Sequence, residues 1–498
     1  MTKKILFWID SHFLPYCMAY YFQKKFDGET YAVFDVTNRT KNFFESQNLV
    51  NFQEQWFYHD HINFDNPPDI QFLKTFEEKY DINLWNLALN ERLLYQYNQY
   101  YNFSKYEIES LLTQECKLFE KILDKINPDY LITKDTALHN NHLLYLMCRK
   151  KGIKVLMMNY TKIGNNFIIS EDIYKLDSLT KISDDQIKKR SFKDLQLLLE
   201  HNNNAKNLKK YIKKRASSKL VKFFALVDYL LKSNNDNVKT HYSYFGRNKI
   251  PVLFKEFYLI LKTKYRKSFI DKNLIHKSNV KEKYILFPLH QEPERSLLLA
   301  APYFTNQLET IRHIAKSLPP GYLLYVKEHY AQSLREWRKI SYYKEIQEIP
   351  NVKLFHPSAS MVDLICNSSL VIAVSGTAAF EANFYEKPSI IFSDMGFSKL
   401  SSIFLADSLN ELPNVIRTAL KQKVNLKELN EYVTSLEKHS FNFDYVNYTL
   451  EEANWFRYGG NYADAIISNK KMNDFLLKNK KILDDLAAEY MHKIKQNY

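Results

Sequence analysis

The chain reads YILFPLHQEPE at 284–294, NQLETIRHIAKSL at 306–318, LLYVKEH at 323–329, VKLFHPS at 352–358 and LVIAVSGTAAFEANFYEKPSIIFSD at 370–394. Here short runs rich in Ile, Leu, Val, Phe and Tyr alternate with segments whose apolar residues recur at helical spacing. This alternation predicts a parallel sheet with crossover helices. The predicted strands are Tyr284–Leu289, Leu323–Lys327, Val352–Phe355, Leu370–Val374 and Ser389–Phe392, and the predicted helices between them include Asn306–Leu318 and Ala378–Tyr385.

Polar side chains follow each of the first four predicted strands, at the point where the strand ends. They are His290, Gln291 and Glu294 after the first strand, Glu328 and His329 after the second, His356 and Pro357 after the third, and Ser375, Gly376 and Thr377 after the fourth. Ligands of open parallel sheets bind beyond the carboxyl ends of the strands. Four such strand ends therefore predict a phosphate or nucleotide site along this edge.

The fourth strand end carries the clearest signal, because Ser375–Thr377 ends a strand and opens a helix. Free N–H groups in the first helical turn, the positive end of the helix dipole and two hydroxyls suit an anion. Glu381 lies one turn further on the same face, where it could accept hydrogen bonds from ribose hydroxyls or pair with a neighbouring base. A plainer interpretation of the same residues is a helix N-cap within Ser375–Thr377, a loop histidine at His356 and a solvated strand end at Glu328.

Several short motifs in this stretch together resemble the bacterial capsule polysaccharide biosynthesis family. They are FPLHxxPE (287–294), YVKEH (325–329), FHPS (355–358), SGTAxFEA (375–382) and KPSIIF (387–392). The best understood members of that family resemble Kdo (3-deoxy-manno-octulosonic acid) transferases with a GT-B glycosyltransferase fold. The resemblance implies a nucleotide-sugar donor held by the C-terminal domain and covers residues 280–410.

Individual residues match the family's pattern to different degrees. His356 and Pro357 match its His-Pro motif at the nucleotide phosphate, and Ser375, Thr377 and Glu381 match its Ser/Thr-rich turn and following acid. Two departures bear on the identity of the donor. Glu292 separates Gln291 from Pro293 where a contiguous Gln-Pro is expected, and Tyr330 follows Glu328-His329 where the family often has proline.

A second set of strands precedes this region. Lys4–Ile9, Tyr31–Val36, Tyr130–Thr133 and Val155–Met158 outline an N-terminal Rossmann-like domain. The titratable groups near its strand ends are Asp10, His12, Asp135 and His139. A GT-B fold implies that the acceptor and the catalytic base come from this domain, so Asp10 and Asp135 are the candidate bases. The alternatives are that Asp10 caps the next helix and that Asp135 pairs with Lys134.

The predicted fold class is therefore α/β and GT-B-like, with two Rossmann-like domains facing a cleft. The expected organisation is an acceptor domain with a helical insertion at 1–180, a helical basic linker at 181–279 and a nucleotide-sugar-binding domain at 280–440. The resemblance further implies that C-terminal helices at 441–498 cross back to the first domain.

Composition excludes several other classes. A chain of 498 residues with 45% hydrophobic content can build two cores, and its 9 glycines leave no GxGxxG or Walker loop. The four cysteines show no CxxC spacing, which predicts a reduced protein without structural zinc. The N-terminus has too few apolar residues for a signal peptide, and no run is long enough to span a membrane, so a cytoplasmic location is expected.

The net charge of +14 is unevenly distributed along the chain. Between Lys206 and Lys222 stand eight basic residues and no acid, followed by the largely apolar run Phe223–Leu231. This pattern is typical of a segment at the anionic face of a membrane, and its alternative is a solvated helix or linker. Nucleic acid is not an expected partner, because no recognised nucleic-acid-binding motif accompanies the charge.

The function predicted from these features is transfer of a sugar from a nucleotide-activated donor to a growing surface glycan. The helix end at Ser375–Thr377 and His356 would stabilise the leaving phosphate without a metal or other cofactor. His290, Gln291 and Glu294 would lie near the donor sugar or base; Glu328 and His329 would sit deeper, with Glu328 orienting His356. The alternatives are a non-hydrolysing UDP-sugar epimerase, a non-catalytic glycan-binding protein and a nucleic-acid-binding protein.

Overall fold

The computed structural model describes residues 2–98, 101–172, 183–200, 219–232, 249–277, 282–334, 336–461, 464 and 466–496. The strands are β1 Lys3–Ile9, β2 Gly28–Phe34, β3 Glu54–Phe57, β4 Tyr130–Ile132, β5 Lys154–Tyr160, β6 Asn166–Ser170, β7 Lys283–Pro288, β8 Tyr322–Lys327, β9 Val352–Phe355, β10 Leu370–Ala373, β11 Ser389–Ile391, β12 Ile403–Leu405 and β13 Phe441–Asn442. They form two sheets.

Nineteen α-helices surround these sheets in the described part of the chain. They are α1 Leu14–Phe22, α2 Asn38–Ser46, α3 Ile70–Tyr80, α4 Leu84–Leu89, α5 Lys105–Ile126, α6 His139–Lys150, α7 Phe192–Glu200, α8 Lys219–Lys232, α9 Lys249–Asn273, α10 Arg295–Leu298, α11 Gln307–Ser317, α12 Ile340–Gln347, α13 Met361–Asn367, α14 Thr377–Phe384, α15 Leu412–Ala419, α16 Leu426–His439, α17 Tyr445–Phe456, α18 Asn469–Lys478 and α19 Lys480–Gln496.

The second sheet has the strand order β12-β11-β10-β7-β8-β9, with all neighbours parallel. Its first strand in the chain, β7, lies in the middle, so the chain builds outward to β9 and then returns to place β10 on the other side. This is the doubly wound order of Rossmann folds, and its crevice opens between the ends of β7 and β10. The switch point of this sheet is thus formed by the residues that follow Pro288 and Ala373.

The first sheet repeats the same arrangement. Its order is β13-β6-β5-β4-β1-β2-β3; the strands from β5 to β3 are parallel, and β6 and β13 extend the sheet antiparallel. The switch point here lies between the ends of β1 and β4. The predicted α/β class with two Rossmann-like units is therefore confirmed by the two sheets.

Both faces of each sheet are covered, which explains the nearly continuous apolar strands. In β1, Phe7 and Ile9 pack into the core on one face, while Leu6 and Trp8 pack into the core on the other. The sequence patterns missed β3, β6, β12 and β13, which have two to five residues each. Such short strands carry too little periodicity to stand out.

Three helices connect the two sheets in the described ranges. α7 packs near α14, with the Gln196 amide donating to the Phe384 carbonyl at 2.9 Å. α8 is held to the first sheet's unit by an ion pair between Asp228 and Arg39 at 3.0 Å. α9 runs into the second unit, where Ile270 is fully buried. Of the basic segment 206–222, residues 206–218 lie outside the described ranges, and the remainder begins α8.

The C-terminal segment packs on the first sheet's unit. β13 pairs with β6, and Tyr448, Phe475 and Leu483 from α17, α18 and α19 join the core that contains Phe13 and Tyr16. The C-terminal end of the chain therefore completes the hydrophobic core of the N-terminal unit. Within the described ranges, none of the helices combines the length and apolar character needed to cross a bilayer.

Candidate active site

The two switch points face each other. Arg295, which begins α10 just after β7, donates from Nε to the Thr136 carbonyl and from Nη2 to the Thr136 hydroxyl, each at 3.1 Å. Thr136 follows β4 in the first unit. These bonds connect the two sheets at the carboxyl ends of their parallel strands. The residues at the two switch points therefore line one cleft.

His290 stands at the switch point of the second sheet and is buried. Its Nε2 accepts the Ser375 backbone N–H at 3.3 Å, while Nδ1 lies 3.7 Å from Glu294 Oε2. This arrangement places a proton on Nδ1, facing the carboxylate. Gly376 lets the His290 ring pack closely against this turn, because a Cβ at that position would lie 3.3 Å from His290 Cε1, a tight contact. His290, Glu294 and Ser375 thus form one constellation, as their positions at the strand ends predict.

The start of α14 keeps its backbone amides available. Gly376 is the N-cap residue, and no side chain caps the helix. The Ser375 hydroxyl donates instead to the Ser296 carbonyl at 2.8 Å, and the Thr377 hydroxyl bonds with the Glu381 carboxylate. The alternative that Ser375 or Thr377 is merely a helix cap is therefore not realised. Of the first-turn amides, that of Ala379 donates to the Gly376 carbonyl at 3.3 Å, and helix geometry leaves those of Thr377 and Ala378 without intrahelical acceptors.

A cation from the first unit completes this side of the cleft. Lys162 lies in the hairpin between β5 and β6 and has a positive φ of 68°. Burial lowers the pKa of Lys162, opposed by the carboxylates of Glu294 and Glu381. Burial raises the pKa of Glu381, opposed by the Thr377 hydroxyl and by Lys162. Lys162 and Arg295 could not be predicted as site residues, because neither belongs to a strand-end motif that marks chemistry.

Asp10, Lys134 and Asp135 lie at the switch point of the first sheet. Burial, reinforced by Asp135 and opposed by Lys134, raises the pKa of Asp10 from 3.8 to about 7. Burial acts to raise the pKa of Asp135 too, but Lys134 at 3.4 Å and Arg295 outweigh it and hold that pKa below its ordinary value. Two neighbouring carboxyls thus differ in proton affinity, which is the pattern of an acid/base site.

The hydrogen bonds of these carboxyls test the plainer alternatives. Asp10 Oδ1 accepts the backbone N–H of His12 at 2.7 Å, whereas α1 begins with Phe13 as its N-cap residue and has no side-chain cap. Asp10 therefore does not cap that helix. Asp135 does pair with Lys134, yet its Oδ1 is buried and accepts no hydrogen bond from the described residues.

The C-terminal segment contributes two buried charges beside His12. Arg457 Nη2 lies 2.6 Å from Glu452 Oε1 and 3.3 Å from His12 Nδ1. Burial together with the charges of Lys134 and Arg457 lowers the pKa of His12, which keeps this imidazole neutral. The sequence could not indicate this group, because more than four hundred residues separate its members.

His139 has a structural position. Its Nε2 lies 2.8 Å from Glu115 Oε1, and its Nδ1 lies 3.5 Å from Glu91 Oε2, with all three side chains buried. Burial alone would lower the pKa of His139, but the two carboxylates raise it to about 10. The imidazolium therefore neutralises buried acids inside the first unit.

Glu328 is also structural. Its side chain is fully buried and accepts from Arg338 Nε at 3.0 Å and from the Tyr343 hydroxyl at 2.7 Å. Arg338 also bonds to the His290 carbonyl at 2.5 Å. The expectation that Glu328 orients His356 is wrong, because these partners occupy the carboxylate. Glu328 instead holds the loop that carries His290.

Two further strand-end residues hold the loop after β8 in place. Gln291 donates to the Ala331 carbonyl at 3.0 Å, and His329 Nδ1 accepts the Ala331 N–H at 3.2 Å. Burial lowers the pKa of His329, opposed by the nearby carboxylates of Glu294 and Glu328. One side-chain nitrogen of Gln291 and one of His329 are thus engaged by the backbone of Ala331.

His356 and Pro357 do not join the cluster around His290. β9 is the edge strand, separated from β7 by β8, so its end lies about 10 Å away across the sheet. His356 Nε2 lies 3.1 Å from Asp271 Oδ1, and Nδ1 lies 2.7 Å from Ser358 Oγ. The Pro357 carbonyl accepts from Lys327 at 3.1 Å. The expected grouping of His356 with Thr377 and Glu381 is thus not found.

The topology and the shared cleft define a class of protein. Two Rossmann-like units with opposed switch points, completed by a C-terminal segment that packs on the first unit, form a GT-B-like fold, the class predicted from the sequence.

Solved structures similar to this chain include KpsC, beta Kdo 2,7 transferase, from Thermosulfurimonas dismutans, at 13% identity and a TM-score of 0.33, covering 73% of this chain and 89% of that one. They also include UDP-GlcNAc 2-epimerases. The Methanocaldococcus jannaschii structure in complex with UDP-GlcNAc and UDP has 13% identity, a TM-score of 0.26 and coverage of 88% and 100%. The Neisseria meningitidis structure bound to UDP-GlcNAc has 11% identity, a TM-score of 0.26 and coverage of 87% and 99%. No family model matches the sequence, and neither does any curated protein.

Proposed function

We propose that the protein is a glycosyltransferase that moves a sugar from a nucleotide-activated donor to a cell-surface polysaccharide or glycolipid. The donor would be CMP-Kdo-like or a UDP-sugar. The observation that carries the proposal is the opposition of the two crevices: a helix start without a side-chain cap lies on one side, and a carboxyl whose pKa is near 7 lies on the other. Such a pair supplies the two groups that the reaction requires, one for the leaving phosphate and one for the attacking hydroxyl.

The donor belongs on the second unit in this proposal. Its phosphate would accept hydrogen bonds from the free amides at the start of α14, where the helix dipole adds positive potential. Two cations lie at the cleft: Lys162 interacts with the carboxylates of Glu294 and Glu381, and Arg295 bonds to Thr136. As the bond from the anomeric carbon to the phosphate oxygen breaks, these groups would stabilise the negative charge that develops on that oxygen.

Asp10 is the proposed general base. The acceptor hydroxyl would attack the anomeric carbon and pass its proton to the Asp10 carboxylate, while the nucleotide leaves with the electron pair of the broken bond. A pKa near 7 suits this role, because the carboxylate is then both available and basic enough to take the proton. Asp135 stays ionised beside it, and its charge adds to the effect of burial in raising the pKa of Asp10, which Lys134 opposes.

His356 has no place in this proposed machinery, since both of its ring nitrogens are engaged on the edge of the sheet. The basic segment 206–222 remains a prediction of attraction to an anionic membrane, made from charge alone.

The proposal is tested first by thermal-shift measurements with CMP, UDP, GDP and their sugars. A ligand that binds only the folded protein raises its melting temperature, so one nucleotide series should stand out. Transfer from the matching donor to a glycan acceptor is then measured for the wild type and for Asp10→Asn. The matched control is Asp27→Asn, which changes an exposed carboxyl away from the cleft.

The expected result is that Asp10→Asn keeps the nucleotide-induced shift and loses transfer, while Asp27→Asn keeps both. Conversion of a UDP-sugar without any acceptor would identify an epimerase instead. Nucleotide binding without sugar transfer to any acceptor tested would contradict the proposed catalytic function. A melting temperature that no nucleotide changes would contradict the proposed donor site.

A further inference from the structure

Two neighbouring helices expose an unusual amount of apolar surface. Of the 25 large hydrophobic side chains that are exposed in the described part of the chain, 13 lie on α8 and α9. Their exposed fractions reach 75% at Leu231, 73% at Phe254 and 72% at Tyr265. Soluble surfaces rarely concentrate apolar side chains in this way without a partner.

The exposed side chains of α9 are ordered along the helix. Ile250, Phe254, Phe257, Leu261 and Tyr265 follow one another at intervals of three or four residues, and all are more than half exposed. That spacing places them on one face. The resulting stripe, here called the α9 stripe, is a continuous apolar surface directed away from the core.

Basic residues are concentrated in the stretch of sequence that contains both helices and account for the net charge of the whole protein. Residues 206–272 contain 18 Lys and Arg and 4 Asp and Glu, which equals the chain's net charge of +14. The rest of the chain is therefore neutral in sum. Lys222 on α8 and Lys264 on α9 are exposed beside the apolar side chains.

The opposite sides of both helices are anchored to the protein. Asp228 of α8 pairs with Arg39 of the first unit, and Arg266 of α9 pairs with Glu336 of the second at 2.6 Å. Ala225 and Ile270 are buried beneath the same helices. The exposed apolar face is thus the outer side of two docked helices.

We propose that the outer face of α8 and α9, including the α9 stripe, docks onto an anionic phospholipid surface. Apolar side chains of an interfacial helix enter the boundary between headgroups and acyl chains, while flanking lysines meet the lipid phosphates. The inference does not depend on the proposed glycosyl transfer, because it concerns neither the cleft nor its residues.

Charge and side-chain chemistry favour lipid over two other occupants. A second copy would bring an equally basic surface against this one, and like charges oppose that contact. Nucleic acid would pair with the lysines and could stack on Phe254, Phe257 and Tyr265, but it would leave the aliphatic side chains of Ile250, Leu261 and Leu231 in water. An anionic bilayer is complementary to both properties at once.

The test is flotation of the full chain with vesicles of phosphatidylglycerol and phosphatidylcholine in equal amounts, compared with vesicles of phosphatidylcholine alone. The informative variant is Phe254→Ser with Phe257→Ser. The matched control is Ile466→Ser with Leu477→Ser, which removes two similarly exposed apolar side chains from another surface. A second variant, Lys222→Gln with Lys264→Gln, removes charge and keeps the apolar face. Circular dichroism and melting temperature verify that each variant folds.

We expect the wild type and the control to float with the phosphatidylglycerol vesicles, with binding that weakens as salt is added. The phenylalanine variant should partition roughly tenfold or more weakly, and the lysine variant should lose binding mainly at low salt. Equal binding to both vesicle types, or unchanged binding of the folded phenylalanine variant, would overturn the proposal. Two other results would also overturn it: formation of a dimer that depends on protein concentration, or binding to a DNA duplex, if either is lost only in the phenylalanine variant.

Discussion

Replacement of Asp10 by Asn is the most informative perturbation of the cleft, because it should separate activity from stability. The amide has the shape of the carboxyl and cannot take a proton at neutral pH. Transfer should therefore fall by roughly 10²-fold to 10⁴-fold. The same change should make the protein more stable above neutral pH, since the folded wild type must ionise a buried group there.

The size of the stability effect follows from the pKa. Below the ordinary value of 3.8, Asp10 is protonated in both the folded and the unfolded chain, and its contribution is fully present. Between 3.8 and about 7, the folded chain keeps a proton that the unfolded chain has released, so stability is lost as pH rises. Each pH unit costs about 1.4 kcal/mol. From about pH 5 to pH 8 the wild type should therefore lose roughly 3 kcal/mol through this group alone.

Melting temperatures of the wild type and of Asp10→Asn, measured across that pH range, provide the assay. The variant should gain several degrees over the wild type at the alkaline end, and the gain should shrink towards acid pH. In parallel, wild-type kcat/KM should rise as pH passes through about 7, where the carboxylate forms. A constant difference in melting temperature at all pH values would refute the assignment of a raised pKa. Retained transfer in the variant would remove Asp10 as the base.

The other expected outcomes concern the second unit. Gly376→Ala places a methyl group 3.3 Å from His290 Cε1 at an ordinary φ, so nucleotide affinity should fall while the fold persists, as calorimetric titration of the best nucleotide can measure. His290→Ala should lower kcat/KM roughly tenfold or more, and His356→Ala on the edge strand should lower it less; equal losses would contradict the exclusion of His356. Glu328→Gln removes one of the two carboxylates that neutralise the buried Arg338, while Glu292 remains paired with it, so chemical denaturation should show a loss of about 1–3 kcal/mol. An unchanged denaturation midpoint would contradict the structural role of Glu328.

Most of the fold was accessible from local sequence patterns. The five strands predicted between Tyr284 and Phe392 are all present, because a strand buried on both faces must be apolar throughout and stands out against its neighbours. The presence of a second sheet was predicted from similar apolar runs in the N-terminal half of the chain. The strands missed are short or lie at sheet edges, where pairing depends on a partner segment and not on composition.

The candidate site was accessible only in part. Strand ends identified His290, Glu294 and Asp10, since a parallel sheet gathers the residues after its strands along one edge. The same argument also selected His356 and Glu328. The strand order cannot be predicted from these local patterns. In the folded protein, β9 lies at the edge of the sheet and β10 lies beside β7, so His356 is separated from His290.

The sequence by itself determined the class of this protein: two sheets built mainly of parallel strands, polar strand ends and an excess of positive charge confined to one stretch. Only the tertiary structure decided which polar groups meet. It brought Lys162 to Glu381 and Arg457 to His12 through the packing of distant segments, and it raised the pKa of Asp10 through burial. The physical reason is that periodicity and strand ends are local properties, whereas proximity and desolvation arise only when separate segments pack together.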